Sequence, residues 1–181
     1  MDDLVIKIAA IESRLCAVTS IAQRDRKDVL LLAVSKTRSA ESIRLVAETG
    51  IKSFGENYLQ EALEKIANLQ SLDLDWHFIG PIQSNKTRQI SENFAWAHSV
   101  DRVKIAQRLN DQRPSHMAPL NICMQINIDN EATKSGFSAE QALQAALEIM
   151  ALPNLNLRGL MAIPAARQNM EAQRLPFAQL R

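Results

Sequence analysis

The sequence predicts an α/β fold in which helices cover a parallel β-sheet. Short apolar segments typical of strands alternate with longer amphipathic segments typical of helices, and about six strands are expected. The sequence has neither a Gly-x-Gly-x-x-Gly turn after its first strand nor a phosphate-binding loop of the Walker type. Right-handed crossovers then leave two topologies, an open doubly wound sheet and a closed (β/α) barrel.

The composition is that of an ordinary globular protein. The chain has 181 residues, of which 46% are hydrophobic and 23% are charged, so one domain spanning residues 1–181 is expected. A net charge of +1 and an aromatic content of 4% give no reason to expect binding to nucleic acid or to a membrane surface. The two cysteines, Cys16 and Cys123, are far apart, which favours reduced thiols and a cytoplasmic location.

The first predicted strand ends in a lysine. Leu30 to Thr37 is a short aliphatic segment that we expect to be a strand buried on both faces. Alternation along the strand places Lys36 on the same face as Val34 and Leu32. If that face points into a barrel, the amine loses solvation and becomes a nucleophile towards a carbonyl group. The alternative is that Lys36 simply ends the strand and reaches into water.

Polar residues mark the starts of several predicted helices. Ser39 is expected to cap the second helix, and Ser138 with Gln141 has the spacing of a capping box. Ser99 or Asp101 is expected to cap the helix that follows the fourth strand.

The residues that follow the strands are the candidates for a site, because ligands bind at the carboxyl ends of parallel strands in both topologies. Each has a plainer interpretation: Asn57 as a helix cap, His77 as a core histidine, Lys134 as a solvated charge and Met161 as core filling. Ser84 begins a helix whose free N–H groups could receive an anion. In chain order, the strand ends offer Lys36, Asn57, His77, Ser84 with Asn85 and Lys86, Asn127, Lys134 and Met161.

Four segments carry a resemblance to a known family. They are Leu-Leu-Ala-Val-Ser-Lys-Thr at 31–37, Phe-Gly-Glu-Asn-Tyr at 54–58, Trp-His-Phe-Ile-Gly at 76–80 and Gly-Leu-Met-Ala-Ile-Pro at 159–164. Gln-Glu at 60–61 and Gln-Ser-Asn-Lys at 83–86 extend the second and third segments. With this spacing, the chain resembles the pyridoxal phosphate homeostasis protein family from its first helix to about Pro164.

The resemblance implies a fold and a cofactor. The fold is the (β/α)8 barrel of fold-type III pyridoxal phosphate proteins, similar to the N-terminal domain of alanine racemase. Lys36 would hold pyridoxal 5′-phosphate (PLP) as a Schiff base, and Asn57, His77 and Met161 would lie near the cofactor. Lys134 resembles a family lysine linked to cofactor exchange, and Ser84 joins the set as a candidate cofactor contact.

The resemblance also implies a function without established catalytic turnover. Such proteins carry or buffer PLP in vitamin B6 homeostasis, with apo PLP-dependent enzymes as possible acceptors, and we expect a monomer. The alternative is an amino-acid racemase-like enzyme. It would need a base on the second face of the cofactor, and the only tyrosine is Tyr58. A third possibility is a structural or regulatory module in which Lys36 is only the end of a strand.

The chain departs from the family at its C-terminal end. Family members continue with a serine- and glycine-rich segment and an Arg-Ile-Gly segment, which the resemblance implies form the last strands and the main phosphate cradle. No such segments follow Leu180 and Arg181. We therefore expect a barrel with about six of its eight strands, lacking its C-terminal part. Weak binding of PLP is the corresponding expectation.

Overall fold

The structure is a computed structural model that describes residues 3–181. Its strands are β1 (Ala33–Val34), β2 (Ser53–Glu56), β3 (Asp75–Phe78), β4 (Trp96–Val100), β5 (Leu120–Gln125) and β6 (Leu155–Met161). Its α-helices are α1 (Asp3–Ile21), α2 (Ala40–Glu48), α3 (Leu59–Asn68), α4 (Thr87–Asn93), α5 (Val103–Gln112), α6 (Ala139–Met150) and α7 (Met170–Leu180). A short 3₁₀ helix, Arg26–Asp28, lies between α1 and β1.

The order of the strands decides between the two predicted topologies. The six strands are all parallel and lie in the order β1-β2-β3-β4-β5-β6. A doubly wound sheet reverses its strand order at a switch point, and no reversal occurs here. Right-handed crossovers between sequential strands place the connecting helices on one face of the sheet, as in a (β/α) barrel. The predicted fold class is therefore confirmed, with six strands in an unclosed sheet.

The core lies between the helices and one face of the sheet. Phe54 and Trp76 pack with their ring centroids 6.0 Å apart, and Phe78 meets Phe94 edge to face at 5.4 Å. Burial alternates along β5, where the even-numbered residues from Leu120 to Met124 are fully buried and the residues between them are partly buried. The opposite face of β5 therefore carries Asn121, Cys123 and Gln125.

The prediction for the first strand was wrong in length and in burial. Only Ala33–Val34 forms a strand, and it pairs with β2 alone. Leu30 is 62% exposed and Val34 is 52% exposed. Because β1 is an edge strand, no second strand of the sheet within residues 3–181 pairs with it on the side away from β2. Lys36 is exposed and does not stand in the predicted apolar mouth.

Two of the three predicted helix caps are confirmed. The Ser39 hydroxyl accepts a hydrogen bond from the Ser42 N–H, and Ser138 forms a capping box with Gln141. The prediction for α5 was wrong, because Arg102 occupies its N-cap position. The Ser99 hydroxyl instead donates a hydrogen bond to the carbonyl oxygen of Gly80, which ties the end of β4 to the loop after β3. None of the helices within residues 3–181 is both long and apolar enough to cross a membrane.

Candidate functional site

A cleft of about 340 Å³ opens at the carboxyl ends of the strands. Its wall comes from the segments that follow five of the six strands, so the open sheet already gathers these ends around one space. Three predicted site residues line the cleft together, namely Asn57 after β2, Lys134 after β5 and Met161 at the end of β6. The resemblance is thus matched by a concave surface in the expected place.

Lys36 differs from the other two lysines near this edge of the sheet. Its ammonium has no hydrogen-bond or ion-pair partner among residues 3–181. Lys65, by contrast, uses all three N–H donors of its ammonium and is 6% exposed. Lys134 pairs with the Glu131 carboxylate at 2.6 Å and donates to the Ile163 carbonyl oxygen at 3.2 Å. The Lys36 amine is therefore free to react, whereas those of Lys65 and Lys134 are engaged.

The contacts of Lys65 form a buried network beside Lys36. Its Nζ lies 2.7 Å from the Ser35 carbonyl oxygen, 2.7 Å from Glu56 Oε1 and 2.5 Å from Glu61 Oε1. The Ser35 hydroxyl also donates to Glu56 Oε1 at 2.7 Å. The hydrogen bond from Lys65, and secondarily that from the Thr37 backbone, holds the pKa of Glu61 below its usual value. The network joins α3 to the end of β1.

The backbone directly after Lys36 has an uncommon conformation. Thr37 has a φ of 63°, in the left-handed region that β-branched residues rarely adopt. Such a conformation costs about 1–3 kcal/mol and persists only where its surroundings hold it. The Thr37 N–H donates to Glu61 Oε1 at 2.6 Å, so the carboxylate of α3 supplies that support.

His77 is held in a buried aromatic cluster on the same sheet. It is 1% exposed, its ring stacks on Trp96 with centroids 5.3 Å apart, and its Nδ1 lies 2.9 Å from His98 Nε2. Burial, with a smaller contribution from the neighbouring His98, lowers the pKa of His77 to about 4. Burial also lowers the pKa of His98. Both rings are thus neutral near pH 7, so one donates the shared hydrogen bond and the other accepts it.

Two buried polar atoms of predicted site residues lack a hydrogen-bond partner. They are His77 Nε2 and Asn57 Oδ1. Leaving such an atom unpaired costs about 1–3 kcal/mol, so both are suited to meet a polar ligand. A free primary amine, an imidazole nitrogen and an amide oxygen fit a ligand with an aldehyde and ring substituents. Within residues 3–181, no group of three or more acidic, histidine or cysteine side chains could hold a metal ion.

The other predicted residues are less closely associated with the cleft. Lys36, His77 and Ser84 are not among the residues that line it. Ser84 lies in the turn before α4, where its carbonyl oxygen accepts hydrogen bonds from the Thr87 hydroxyl and from Arg108 Nε. That turn is thereby tied to α5, and a cofactor contact by Ser84 stays a prediction.

Comparison with known proteins places the chain in a family. Residues 6–181 match the family model described as the alanine racemase N-terminal domain. The pyridoxal phosphate homeostasis protein of Pseudomonas aeruginosa is 52% identical over 181 residues, which are 100% of this chain and 79% of that protein. The chain belongs to the pyridoxal phosphate homeostasis protein family. The predicted family is therefore confirmed.

Solved structures agree with this assignment. The protein PipY of Synechococcus elongatus, solved with PLP bound, is 32% identical with a TM-score of 0.76, over 94% of this chain and 78% of PipY. PipY solved without PLP gives 34% identity and a TM-score of 0.78, over 92% of this chain and 78% of PipY. An alanine racemase of Clostridium difficile, at 17% identity and a TM-score of 0.69 over 84% of this chain and 40% of the racemase, shares the fold alone.

Sequence reasoning missed the residues of the Lys65 network in this member of the homeostasis protein family. Glu61 and Lys65 stand four residues apart on α3, a spacing that brings side chains together on a helix. That spacing was the available signal. Glu56 gave none, because a glutamate within a strand does not reveal which face it occupies, and here it is fully buried beneath α3.

Proposed function

We propose that the chain is a PLP carrier that holds the cofactor covalently on Lys36 and takes part in intracellular vitamin B6 homeostasis. The observation that carries the proposal is the amine of Lys36 after β1, which has no hydrogen-bond or ion-pair partner among residues 3–181, whereas the ammonium groups of Lys65 and Lys134 are engaged. Family membership and the PLP bound to the related PipY support the choice of cofactor.

Each chain residue has a separate task in this proposal. When bound, PLP supplies an aldehyde, whose carbon forms a C=N bond with the lysine nitrogen as one water molecule leaves. His77 offers Nε2 and Asn57 offers Oδ1 as polar contacts, and Met161 packs against the ligand from β6. Lys134, held by Glu131 at the rim of the cleft, is placed to take part in cofactor exchange.

Absorption spectroscopy of the protein mixed with PLP tests the attachment. A visible absorption band should develop in the wild type, be lost in Lys36→Ala, and persist in Lys134→Ala with altered exchange kinetics. Free lysine side chains also react with excess PLP, so Lys27→Ala provides a matched control at an exposed lysine remote from the cleft. An equal band in Lys36→Ala and the wild type would refute the assignment of Lys36.

The non-catalytic part of the proposal rests on the surroundings of the only tyrosine. Tyr58 is 56% exposed, precedes α3 and does not line the cleft. A racemase needs a second group that moves a proton on the opposite face of the cofactor, and we assign no such group to Tyr58. Proton exchange at the α-carbon of several amino acids in deuterated water is expected to stay at the rate of free PLP. Exchange at the rate of an enzyme would favour the racemase-like alternative.

The acceptors in this proposal are apo PLP-dependent enzymes in the cytoplasm. We expect the loaded monomer to reactivate such an apo-enzyme when free PLP is continuously removed by a scavenger. Reactivation by an equal amount of free PLP is the comparison. If the loaded protein reactivates the apo-enzyme no faster than this, the protein buffers the cofactor without transferring it directly.

A further inference from the structure

The two peptide groups that flank Lys36 are both held from α3. The Ser35 carbonyl oxygen accepts from Lys65 Nζ at 2.7 Å, and the Thr37 N–H donates to Glu61 Oε1 at 2.6 Å. Lys65 and Glu61 are themselves paired at 2.5 Å. A single ion pair therefore holds the chain immediately before and immediately after the lysine.

Glu56 of β2 holds the lysine of this ion pair through a further hydrogen bond. This carboxylate is fully buried, and its Oε1 receives hydrogen bonds from Lys65 at 2.7 Å and from the Ser35 hydroxyl at 2.7 Å. All three N–H groups of the Lys65 ammonium already donate, to the Ser35 carbonyl oxygen and to the carboxylates of Glu56 and Glu61. Any rotation of the ammonium would break at least one of these hydrogen bonds. The position of its ammonium is thus determined by β1, β2 and α3 together.

The backbone of Thr37, directly after Lys36, needs the hydrogen bond from its N–H to Glu61. A threonine at a φ of 63° leaves the left-handed region when nothing holds it there. The Ser35 carbonyl belongs to the peptide group that precedes Lys36, and the Thr37 N–H belongs to the peptide group that follows it. The two hydrogen bonds from α3 therefore fix the planar peptide on each side of the Lys36 Cα. The Lys36 ammonium itself has no hydrogen-bond or ion-pair partner in the described part of the chain, residues 3–181.

We infer that Glu61 and Lys65 are positioning residues, which hold the backbone on both sides of Lys36 so that its amine is presented to the cofactor in one orientation. The inference rests on the proposed function for the identity of the cofactor. The geometry of the network does not depend on it. Neither residue contacts the reacting atoms in this assignment, so their effect reaches the cofactor only through the backbone of residues 35–37.

The variant Glu61→Ala tests the inference without removing a fully buried charge, because the Glu61 side chain is 31% exposed. Glu61→Gln is the conservative variant, since its amide oxygen can still accept from the Thr37 N–H. Glu64→Ala is the matched control, an exposed glutamate on the same helix. Ser138→Ala removes a remote cap on α6 and controls for a general loss of stability.

Two measurements are made on each variant. The first is hydrogen exchange of the Thr37 amide without cofactor, which we expect to accelerate about tenfold in Glu61→Ala, as the loss of one charge-assisted hydrogen bond requires. The second is the rate at which added PLP becomes trapped on Lys36 by borohydride, which we expect to fall by a similar factor of about ten. Glu64→Ala and Ser138→Ala should stay close to the wild type in both. Glu61→Gln should lie between the wild type and Glu61→Ala, because it keeps the acceptor oxygen and loses the charge.

The outcomes separate the inference from the proposed function. If the wild type traps no PLP on Lys36, the proposed function fails while the Thr37 exchange still reports on the network. If the wild type traps PLP and Glu61→Ala does so at the same rate, the positioning role is overturned. Unchanged Thr37 exchange in Glu61→Ala, or an equal slowing of trapping in Ser138→Ala, overturns it as well.

Discussion

His77 Nδ1 lies 2.9 Å from His98 Nε2, and this contact joins two neutral imidazole rings. If one ring were protonated, the other could still accept its hydrogen bond, but the charge would lie in or against the His77 ring, which is 1% exposed. Burial therefore keeps the pKa of His77 at about 4. The burial of His77, with a smaller contribution from His98, makes folding stability depend on pH.

The first prediction concerns that dependence. A histidine has a pKa near 6.5 when unfolded, so between about pH 6.5 and pH 4 the unfolded chain binds more protons at this position than the folded chain. Stability from His77 is thus present above pH 6.5 and lost as the pH falls. The expected loss is about 2 kcal/mol between pH 7 and pH 5. Urea unfolding measures the free energy of unfolding at each pH. Between pH 7 and pH 5 this free energy should fall more steeply in the wild type than in His77→Gln.

His116 provides the control for this prediction, because it is an exposed histidine outside the cluster. His116→Gln should retain the pH dependence of the wild type. A His77→Gln variant whose stability changes with pH as steeply as that of the wild type would show that other groups cause the effect.

The second prediction concerns Gly80, which follows β3 at the edge of the cleft. A Cβ atom on this residue would lie 2.2 Å from the carbonyl oxygen of Asn57, so the backbone of Asn57 would have to move. We expect Gly80→Ala to destabilise the fold by about 1–3 kcal/mol and to weaken PLP binding, because Asn57 lines the cleft. Thermal unfolding and PLP titration measure the two effects.

Gly50→Ala is the matched control for Gly80→Ala. Gly50 has a φ of 96°, and a Cβ there would meet nothing within 4 Å. The control should lose stability through backbone strain alone and bind PLP as the wild type does. Equal loss of PLP binding in both variants would contradict the proposed steric link between Gly80 and the cleft.

The third prediction concerns the capping box of α6. Ser138→Ala removes the hydroxyl that accepts from the Gln141 N–H, and a cost of about 1 kcal/mol is expected. Chemical denaturation of this variant and of Ser115→Ala, an exposed serine in the loop before β5, gives the comparison. A change in Ser138→Ala no larger than that in Ser115→Ala would mean that the cap contributes nothing to global stability.

The fourth prediction concerns the phosphate group of PLP. The cleft is lined by the carboxylates of Asp101, Asp129 and Glu131 and by a single ammonium, that of Lys134. Arg167 pairs with Asp129 and does not line the cleft. We therefore expect residues 1–181 to bind PLP no more than about tenfold more tightly than pyridoxal, which lacks the phosphate. A hundredfold preference for PLP in parallel titrations would place a phosphate site elsewhere in the chain.

The elements with a strong periodic pattern could be predicted from the sequence, and so could their parallel arrangement. The capping box at Ser138 and the cap at Ser39 could also be predicted, because each depends on residues close in sequence. The exposure of Leu30 and Val34 could not be predicted, since an apolar strand at the edge of a sheet has the same local sequence as one at its centre. Strand order decides this, and it is a property of the whole chain.

The candidate site shows the same division. Asn57, Lys134 and Met161 could be brought together from the rule that ligands bind at the carboxyl ends of parallel strands, and the structure does so. The Lys65 network could not be predicted. Its contacts join Ser35, Glu56 and Glu61 across as many as 30 positions, and they depend on which face of β2 carries the glutamate.

The most direct test of the account asks which lysine carries the cofactor. The protein is mixed with PLP, reduced with borohydride and digested, and the labelled peptides are identified by mass spectrometry, with Lys36→Arg as the matched variant. We predict a label mainly on Lys36 in the wild type and no comparable label at any other lysine in Lys36→Arg. A label mainly on Lys134 or Lys65, or one spread evenly over the exposed lysines, would contradict the central claim.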